Sequence, residues 1–189
     1  MKVRDIDIVA AHHHTSYATV FTANGSVEAK SFYAVFDRGG TGERISAVFP
    51  EIRRQLGKLI DVNGNHCYVL PVTQQKGVGV VSMPTKHLKG TGADLALIQQ
   101  SCVELVMLAD IYGWEKVFLP RAGCGNGKLD WQTQVRPIFM QAFDDRFVVV
   151  HDSKRHAARE KARKKKAKTT KPVFKRGAVS EAAKKRMKA

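Results

Sequence analysis

The stretch that most restricts the fold of this chain is residues 117–131, in which an apolar segment leads into a glycine loop and then a periodic segment. The apolar residues predict a short strand that ends at Pro120. Three glycines then occupy every second position: Gly123, Gly125 and Gly127. Glycine lets the backbone take positive φ and approach a ligand closely, and Asp130 is expected to cap the helix that follows. Such an arrangement suits a phosphate, but it also fits a tight strand-to-helix turn without a ligand.

Two familiar phosphate-binding motifs are excluded at this loop. A P-loop needs Ser or Thr after its Gly-Lys pair, whereas Lys128 is followed by Leu129. The dinucleotide fingerprint follows the first strand of its fold, whereas this loop comes late in the chain and its third glycine is one position early.

Periodicity along residues 1–152 predicts alternating strands and helices. Strands are predicted at residues 6–11, 17–22, 66–72, 78–83, 117–119 and 147–150. Helices are predicted at about 43–59 with a kink or break at Pro50, from a capping box at residues 91–94 to Tyr112, and at 131–143 with a bend or restart at Pro137. Along the second helix, one buried face is predicted from Ile98, Cys102, Leu105, Ala109 and Tyr112. This order indicates an α/β sandwich with a mixed sheet.

Charge divides the chain into a nearly neutral body and a basic tail. Residues 1–152 contain 16 Lys and Arg against 15 Asp and Glu, whereas residues 153–189 contain 16 against 2. The tail is expected to be disordered or transiently helical because it has few large apolar residues. Its basic block favours non-specific attraction to nucleic acid, although it could serve only as a solubilising tail. The block contains Lys161, Arg163, Lys164, Lys165, Lys166 and Lys168.

The cysteines and the apolar segments indicate the cellular compartment and whether a metal site or a membrane span is to be expected. Cys67, Cys102 and Cys124 form no C-x-x-C pair, which argues against a disulfide framework or a zinc site. We expect no metal and no cofactor. No segment approaches the roughly 20 apolar residues that span a bilayer, and the first residues do not resemble a signal peptide. These features predict a cytoplasmic protein that does not bind membranes.

The run from Val80 to His87, which contains Pro84-Thr85-Lys86, and the run from Gly113 to Trp131 together resemble the macro domain family. They are most similar to the bacterial and phage branch that includes ADP-ribosyl hydrolases and ADP-ribose-1″-phosphate phosphatases. The resemblance covers residues 68–152 specifically and the preceding residues more thinly. It implies a three-layer α/β/α macro domain over residues 1–152, with a mixed central sheet.

The resemblance also implies which residues contact ADP-ribose. An Asp-Ile pair would bind the adenine, an asparagine the distal ribose, and two glycine loops the diphosphate. The implied substrate-binding residues are Asp7, Ile8, Asn24, Gly39, Gly40, Gly123, Cys124, Gly125, Asn126 and Gly127. Asp5-Ile6 aligns as well as Asp7-Ile8, and Asn24 also fits a plain Asn-Gly turn.

Lys86 is the implied nucleophile, because similar hydrolases use a lysine in a Pro-Thr-Lys context to attack C1″ of the ribose. Such attack requires a neutral amine, which burial favours. From residue type alone, Lys86 could equally be a surface lysine at a strand end. Asn24 and Asp37 are the other candidate catalytic residues. The charges of Asp37, Arg38 and Glu43 depart from the family pattern in the first glycine loop.

Three functions therefore follow from the sequence. The chain binds ADP-ribose and hydrolyses an ADP-ribosyl linkage or ADP-ribose-1″-phosphate; or it is a non-catalytic ADP-ribose reader that the tail tethers to nucleic acid; or it is a nucleic-acid-binding accessory with a decayed pocket. Its expected partners are ADP-ribose or an ADP-ribosylated macromolecule, and nucleic acid through the tail.

Overall fold

The computed structural model describes residues 1–5, 8, 16–72, 79–153, 157–158 and 161–162. The chain divides into two units, residues 1–152 and residues 153–189. The strands are β1 (Lys2–Arg4), β2 (Tyr17–Asn24), β3 (Tyr68–Leu70), β4 (Gly79–Lys86), β5 (Lys116–Pro120) and β6 (Phe147–Val150). The helices are α1 (Thr41–Val48), α2 (Ile52–Asn63), α3 (Leu95–Tyr112) and α4 (Arg136–Ala142), and a π-helical turn (Trp131–Val135) leads into α4.

The six strands form one mixed sheet in the order β1-β6-β5-β2-β4-β3. All neighbours are parallel except β3, which runs antiparallel to β4. Alternate residues of β2 enter separate cores: Val20 packs with α3 and α4, and Phe21 packs with α1 and α2. Because successive side chains of a strand point to opposite faces, helices cover both faces of the sheet. The predicted three-layer α/β/α sandwich is thereby confirmed.

Local sequence signals place several boundaries correctly. Pro50 separates α1 from α2, and Gly113 ends α3 in the left-handed conformation. Asp130 caps the π-helical turn, where its carboxylate accepts a hydrogen bond from the Thr133 N–H. Pro137 lies in the first turn of α4, where a missing N–H costs nothing, so the helix restarts there as predicted.

The capping box predicted at residues 91–94 is wrong, because Thr91 is not the residue that caps α3. Asp94, not Thr91, caps α3, since its Oδ1 accepts hydrogen bonds from the N–H groups of Ala96 and Leu97 at 2.8 and 3.4 Å. The Thr91 hydroxyl instead donates to the Leu88 carbonyl at 2.7 Å in the preceding turn. The cap lies three residues later than predicted because the extended backbone of Asp94 directs its own carboxylate at the helix.

Other differences lie at short or edge elements. Strand β1 was not predicted, because it is a three-residue, exposed edge strand with a basic residue at each end. Most of the strand predicted at 6–11 lies outside the described residues. Strand β3 is shorter than predicted, and Tyr112 is exposed, stacking on Trp114 instead of joining the buried face of α3.

Within the described residues, one helix, α3, is long and apolar enough to cross a membrane by length and composition alone. One face of this helix is buried in the core that lies between it and the sheet, as Ile98, Cys102, Leu105 and Ala109 show. Core helices of globular proteins pass the same test.

Candidate functional site

The carboxyl ends of β2, β4 and β5 lie at one edge of the sheet, because these strands are parallel. Ligands of open α/β sheets bind at this edge. Asn24 ends β2 and Lys86 ends β4, and the two residues are Cα partners across the strand pair. The glycine loop at 123–127 follows β5. The tertiary structure therefore brings together the strand ends that the sequence analysis singled out.

An irregularity in β4 sets the position of Lys86. Pro84 pairs with Ala23, and the register then shifts so that Asn24 faces Lys86. Proline has no N–H for the ladder, and such a residue within a strand commonly marks a bulge. Beyond the shift, the Lys86 carbonyl accepts hydrogen bonds from the Gly25 N–H at 3.3 Å and from Asn65 Nδ2 at 2.9 Å. The Lys86 backbone is thus held by two separate segments.

The side chain of Lys86 is buried between the two glycine loops. Its Nζ lies 2.9 Å from Asp37 Oδ2 and donates to the Asn126 carbonyl at 3.3 Å. The Lys86 side chain is 4% exposed, whereas that of Asp37 is 21% exposed. Lys86 is therefore not a surface lysine at a strand end, which was the alternative that its residue type allowed. One amine therefore joins the loop before α1 to the loop after β5.

Structural contacts account for two of the three charges in the first glycine loop, those of Asp37 and Glu43. Asp37 pairs with Lys86, and its carbonyl accepts from the Gly40 N–H at 3.0 Å. The Gly39 N–H, at φ +69°, donates to the Glu43 carboxylate in the first turn of α1. A Glu that reaches back from the first turn in this way resembles a capping box. Glu43 thus stabilises the start of α1.

Two hydroxyls fix this loop against β2. The Thr22 N–H donates to Thr41 Oγ1 at 2.9 Å, and the two threonine hydroxyls lie 2.8 Å apart. Thr41 is the first residue of α1 and Thr22 is near the end of β2. These contacts hold the amino terminus of α1 at the same sheet edge as Lys86.

Packing alone explains two of the three glycines in the second loop. Gly123 has φ +72°, and a Cβ there would lie 2.9 Å from Leu129 Cδ1. A Cβ at Gly127 would lie 2.4 Å from the Gly123 carbonyl oxygen and 2.5 Å from Ala93 Cβ. Gly125 is exposed, and its N–H donates to no acceptor among the described residues. The backbone at Gly125 is therefore the part of the loop best placed to receive an anion.

The two glycine loops also touch each other directly. Asn126 Nδ2 donates to the Arg38 carbonyl at 3.2 Å, next to the contact between Lys86 Nζ and the Asn126 carbonyl. The described structure thus contains a closed chain of contacts from Arg38 through Asn126 to Lys86 and back to Asp37. Such a chain fixes the separation of the loops that border the site.

Cys124 lies in the second loop but has the properties of an inert thiol. Its Sγ donates to the Ala122 carbonyl at 3.3 Å, and burial raises the pKa of the thiol to about 11 against the opposing charge of Arg121. Trp131 is buried and packs edge-on against Phe139, as expected of a core residue.

The remaining predicted residues lie elsewhere or have structural contacts. Asn24 Oδ1 accepts from the Ser26 N–H at 3.0 Å, so the residue forms the predicted turn, and its contact with a ribose stays a prediction. Ile8 is buried with Val148 and Val150 of β6, which gives it a core role in the described structure. Asp7 and the predicted tail residues other than Lys161 lie outside the described residues: Arg163, Lys164, Lys165, Lys166 and Lys168.

Two residues that shape the site, Asn65 and Arg121, were not predicted from the sequence. Asn65 binds the Lys86 carbonyl from a turn that shows no local sign of this contact. Arg121 precedes the second loop, its guanidinium lies 5.2 Å from the Trp131 ring centroid, and its buried Nε has no hydrogen-bond partner among the described residues. The position of Arg121 directly before the glycines was the available signal.

His87, the residue after Lys86, does not lie in the buried site. The side chain is mostly exposed, and Nε2 lies 3.0 Å from Asp94 Oδ2 at the start of α3. The hydrogen bond from His87, followed by those from the backbone of α3, holds the pKa of Asp94 below its usual value. Among the described residues, no group of three or more His, Cys, Asp or Glu side chains could hold a metal ion.

No protein-family model and no curated protein matches this chain. Solved structures do match. The macrodomain of Mycobacterium tuberculosis DarG has a TM-score of 0.61 at 22% identity, covering 79% of this chain and 95% of that chain. The macrodomain of Thermus aquaticus DarG has a TM-score of 0.60 at 19% identity, covering 79% and 96%. The structure of Thermosipho africanus DarTG in complex with ADP-ribose has a TM-score of 0.56 at 15% identity, covering 71% and 37%.

Proposed function

Because this chain has the macrodomain fold, as its sequence resemblance predicts, we propose that it binds ADP-ribose and hydrolyses an ADP-ribosyl linkage or ADP-ribose-1″-phosphate. The site is the sheet edge at which Lys86, Asp37 and the loop at 123–127 meet. The similar Thermosipho africanus structure contains ADP-ribose, which makes this the first ligand to test.

The observation that carries the proposal is the burial of Lys86 Nζ between the two glycine loops, 2.9 Å from Asp37 Oδ2. A buried lysine loses the hydration of its ammonium, and proteins accept that cost mainly where the charge is paired or used. Here the amine lies at the ligand-binding edge of the sheet, beside backbone that suits a diphosphate.

In the proposed hydrolysis, Asp37 is the proton acceptor and Lys86 is the nucleophile. Asp37 accepts a proton from the Lys86 ammonium, and the neutral amine forms a bond to C1″ of the ribose. The bond from C1″ to the leaving group breaks, and the leaving group departs with the electron pair and takes up a proton. Water attacks C1″ in the second step, which releases ADP-ribose and restores the lysine. We assign the ribose contact to Asn24, the Cα partner of Lys86.

A second candidate, a non-catalytic ADP-ribose reader, is favoured by one specific observation. Lys86 Nζ is already engaged by Asp37 and by the Asn126 carbonyl, and attack on C1″ requires that these contacts open. In a reader, the same ion pair would serve only to hold the loops together. The basic residues of 153–189 would then tether the reader to nucleic acid in a cytoplasmic setting.

Calorimetry with ADP-ribose is the first test, and the proposal requires saturable binding. A product assay on ADP-ribosylated DNA, ADP-ribosylated protein and ADP-ribose-1″-phosphate follows. We expect Lys86→Ala to reduce turnover by several orders of magnitude while ADP-ribose binding persists. Lys89→Ala, which removes an exposed lysine three residues after Lys86, is the matched control and is expected to leave turnover unchanged.

Each result decides between the candidates. Turnover by Lys86→Ala at the wild-type rate would exclude the lysine as nucleophile and direct attention to Asp37, Asn24 and a substrate-bound water. Tight ADP-ribose binding with no turnover of any of the three substrates would favour the reader. Absence of ADP-ribose binding would exclude both and leave a nucleic-acid-binding accessory.

A further inference from the structure

We propose that residues 27–34, which we call the aromatic hairpin, form with the neighbouring surface of α2 a binding site for single-stranded nucleic acid. Val27 and Ala34 pair as an antiparallel bridge that closes the hairpin. Phe32, which is 43% exposed, and Tyr33, which is 42% exposed, follow the turn at residues 29–31. Two consecutive aromatic residues are thus each exposed over about two-fifths of their surface.

The hairpin is fixed in a strained conformation. Phe32 has φ +55°, a value that a bulky residue rarely adopts. The Phe32 N–H donates to the Glu28 carbonyl and the Glu28 N–H donates to the Tyr33 carbonyl, both at 2.9 Å. Ser31 Oγ donates to the Glu28 carboxylate at 2.7 Å. Strained residues persist where their surroundings determine the conformation, and they are concentrated at ligand-binding sites.

Helix α2 is shaped to receive this hairpin. The Ala34 N–H donates to the Arg53 carbonyl at 2.8 Å, and a Cβ at Gly57 would lie 1.8 Å from the Phe32 carbonyl oxygen. Only glycine at position 57 permits this approach. The exposed rings are thus held on a rigid support and are not carried on a loose loop.

The charges around the rings favour nucleic acid over an apolar protein surface. Lys30 is exposed within the hairpin, and Arg54 and Lys58 are exposed on α2 on either side of Gly57. Across the hairpin and α2, the basic residues Lys30, Arg53, Arg54 and Lys58 outnumber the acidic residues Glu28 and Asp61. Aromatic rings on which bases stack, together with cations that attract the backbone, are the two components of single-strand sites. Bases in a duplex are already stacked and cannot use these rings.

The hairpin is connected to the candidate site. The Val35 N–H donates to the Ser26 carbonyl at 2.9 Å, and the Ser26 N–H donates to Asn24 Oδ1 at 3.0 Å. Asn24 is the Cα partner of Lys86. A strand held by the hairpin would therefore lie beside the end of the site that is proposed to receive the ribose and its leaving group. This positioning role rests on the proposed function, whereas binding of an unmodified strand does not.

The test measures binding of the full chain to fluorescent oligothymidylate of about ten nucleotides by anisotropy, in salt that suppresses attraction to the tail. An abasic strand of the same length reports phosphate attraction without stacking. The variants are Tyr33→Ala and Phe32→Asn, since asparagine tolerates positive φ. Tyr33→Phe keeps the ring, and Tyr112→Ala removes a similarly exposed tyrosine from α3 as the matched control.

We expect Tyr33→Ala and Phe32→Asn each to weaken oligothymidylate binding about tenfold, the loss of one stacked base. Tyr33→Phe and Tyr112→Ala should bind as the wild type does, and no variant should change affinity for the abasic strand. Wild-type affinity in Tyr33→Ala, or an equal loss on the abasic strand, would overturn the proposal. Tyr33 is exposed and not strained, so its variant decides the question even if Phe32→Asn does not fold.

Calorimetry with ADP-ribose on the same proteins separates this proposal from the preceding one. If the protein binds the strand through the rings but does not bind ADP-ribose, the hairpin site is supported and the hydrolase proposal is refuted. If the protein binds ADP-ribose and its affinity for the strand does not depend on the rings, the hydrolase proposal stands and the hairpin site is refuted.

Discussion

The ion pair between Lys86 and Asp37 predicts that neutralising its two members has unequal effects on stability. Asp37→Asn leaves the Lys86 ammonium, whose side chain is 4% exposed, without its carboxylate. Leaving a buried charge uncompensated lowers the free energy of unfolding by about 3–5 kcal/mol. Lys86→Met leaves Asp37, which is 21% exposed and retains access to water, so we expect a smaller loss of about 1–3 kcal/mol.

The assay is urea denaturation at neutral pH with each single variant and the double variant. Because the double variant contains no unpaired charge, its loss should be smaller than the sum of the two single losses. Lys58→Met and Asp61→Asn change exposed residues of α2 in the same chemical way and should each stay within about 0.5 kcal/mol of the wild type. These controls separate the effect of burial from the effect of net charge.

Two results would refute this reasoning. If Asp37→Asn costs no more than Lys86→Met, the lysine is hydrated in solution and the buried pair does not exist. If the single losses simply add in the double variant, the two side chains do not interact. Either result would also remove the geometric basis for assigning Asp37 as the proton acceptor of Lys86.

Four further predictions concern the loops, the caps and the tail. Gly125→Glu should abolish ADP-ribose binding in calorimetry without changing the melting temperature, because Gly125 is exposed and the new carboxylate would repel a diphosphate; unchanged affinity would exclude this loop as the site. Cys124 should react slowly with iodoacetamide at pH 8 and faster only as the pH approaches about 11; rapid modification at pH 8 would contradict the burial of the thiol. The folded pKa of Asp94 is depressed, so its contribution to stability is present above the unfolded pKa and is lost as the pH falls through the folded value. Asp94→Asn keeps the cap and should flatten this acid dependence in denaturation curves, and an unaltered dependence would assign it to other carboxylates. Deleting residues 153–189 should leave ADP-ribose affinity unchanged and sharply reduce salt-sensitive binding to duplex DNA, whereas equal binding by the truncated chain would make the tail a solubiliser.

Features that depend on a residue's own backbone preference could be predicted from the sequence. Pro50 separates two helices, Pro137 lies in the first turn of α4, and Gly113 ends a helix because glycine adopts the left-handed conformation without a steric penalty. The continuous apolar run of β4 predicts a strand covered on both faces, and all eight of its residues are buried. These signals act within a few residues, so they predict the alternation of elements and an α/β sandwich with a mixed sheet, whereas the three-layer arrangement was implied by the resemblance to macro domains.

What only the tertiary structure decided is which distant groups meet. Lys86 could have been a surface lysine, and its burial depends on Asp37 and on an Asn126 carbonyl that is 40 residues away in the chain. The contact between Asn65 and the Lys86 carbonyl and the approach of Phe32 to Gly57 likewise have no local signature. A sequence pattern reports the hydrophobicity and backbone preference of each position. The partner of a buried charge is set by how the helices and strands pack, because only packing removes the water that would otherwise satisfy that charge.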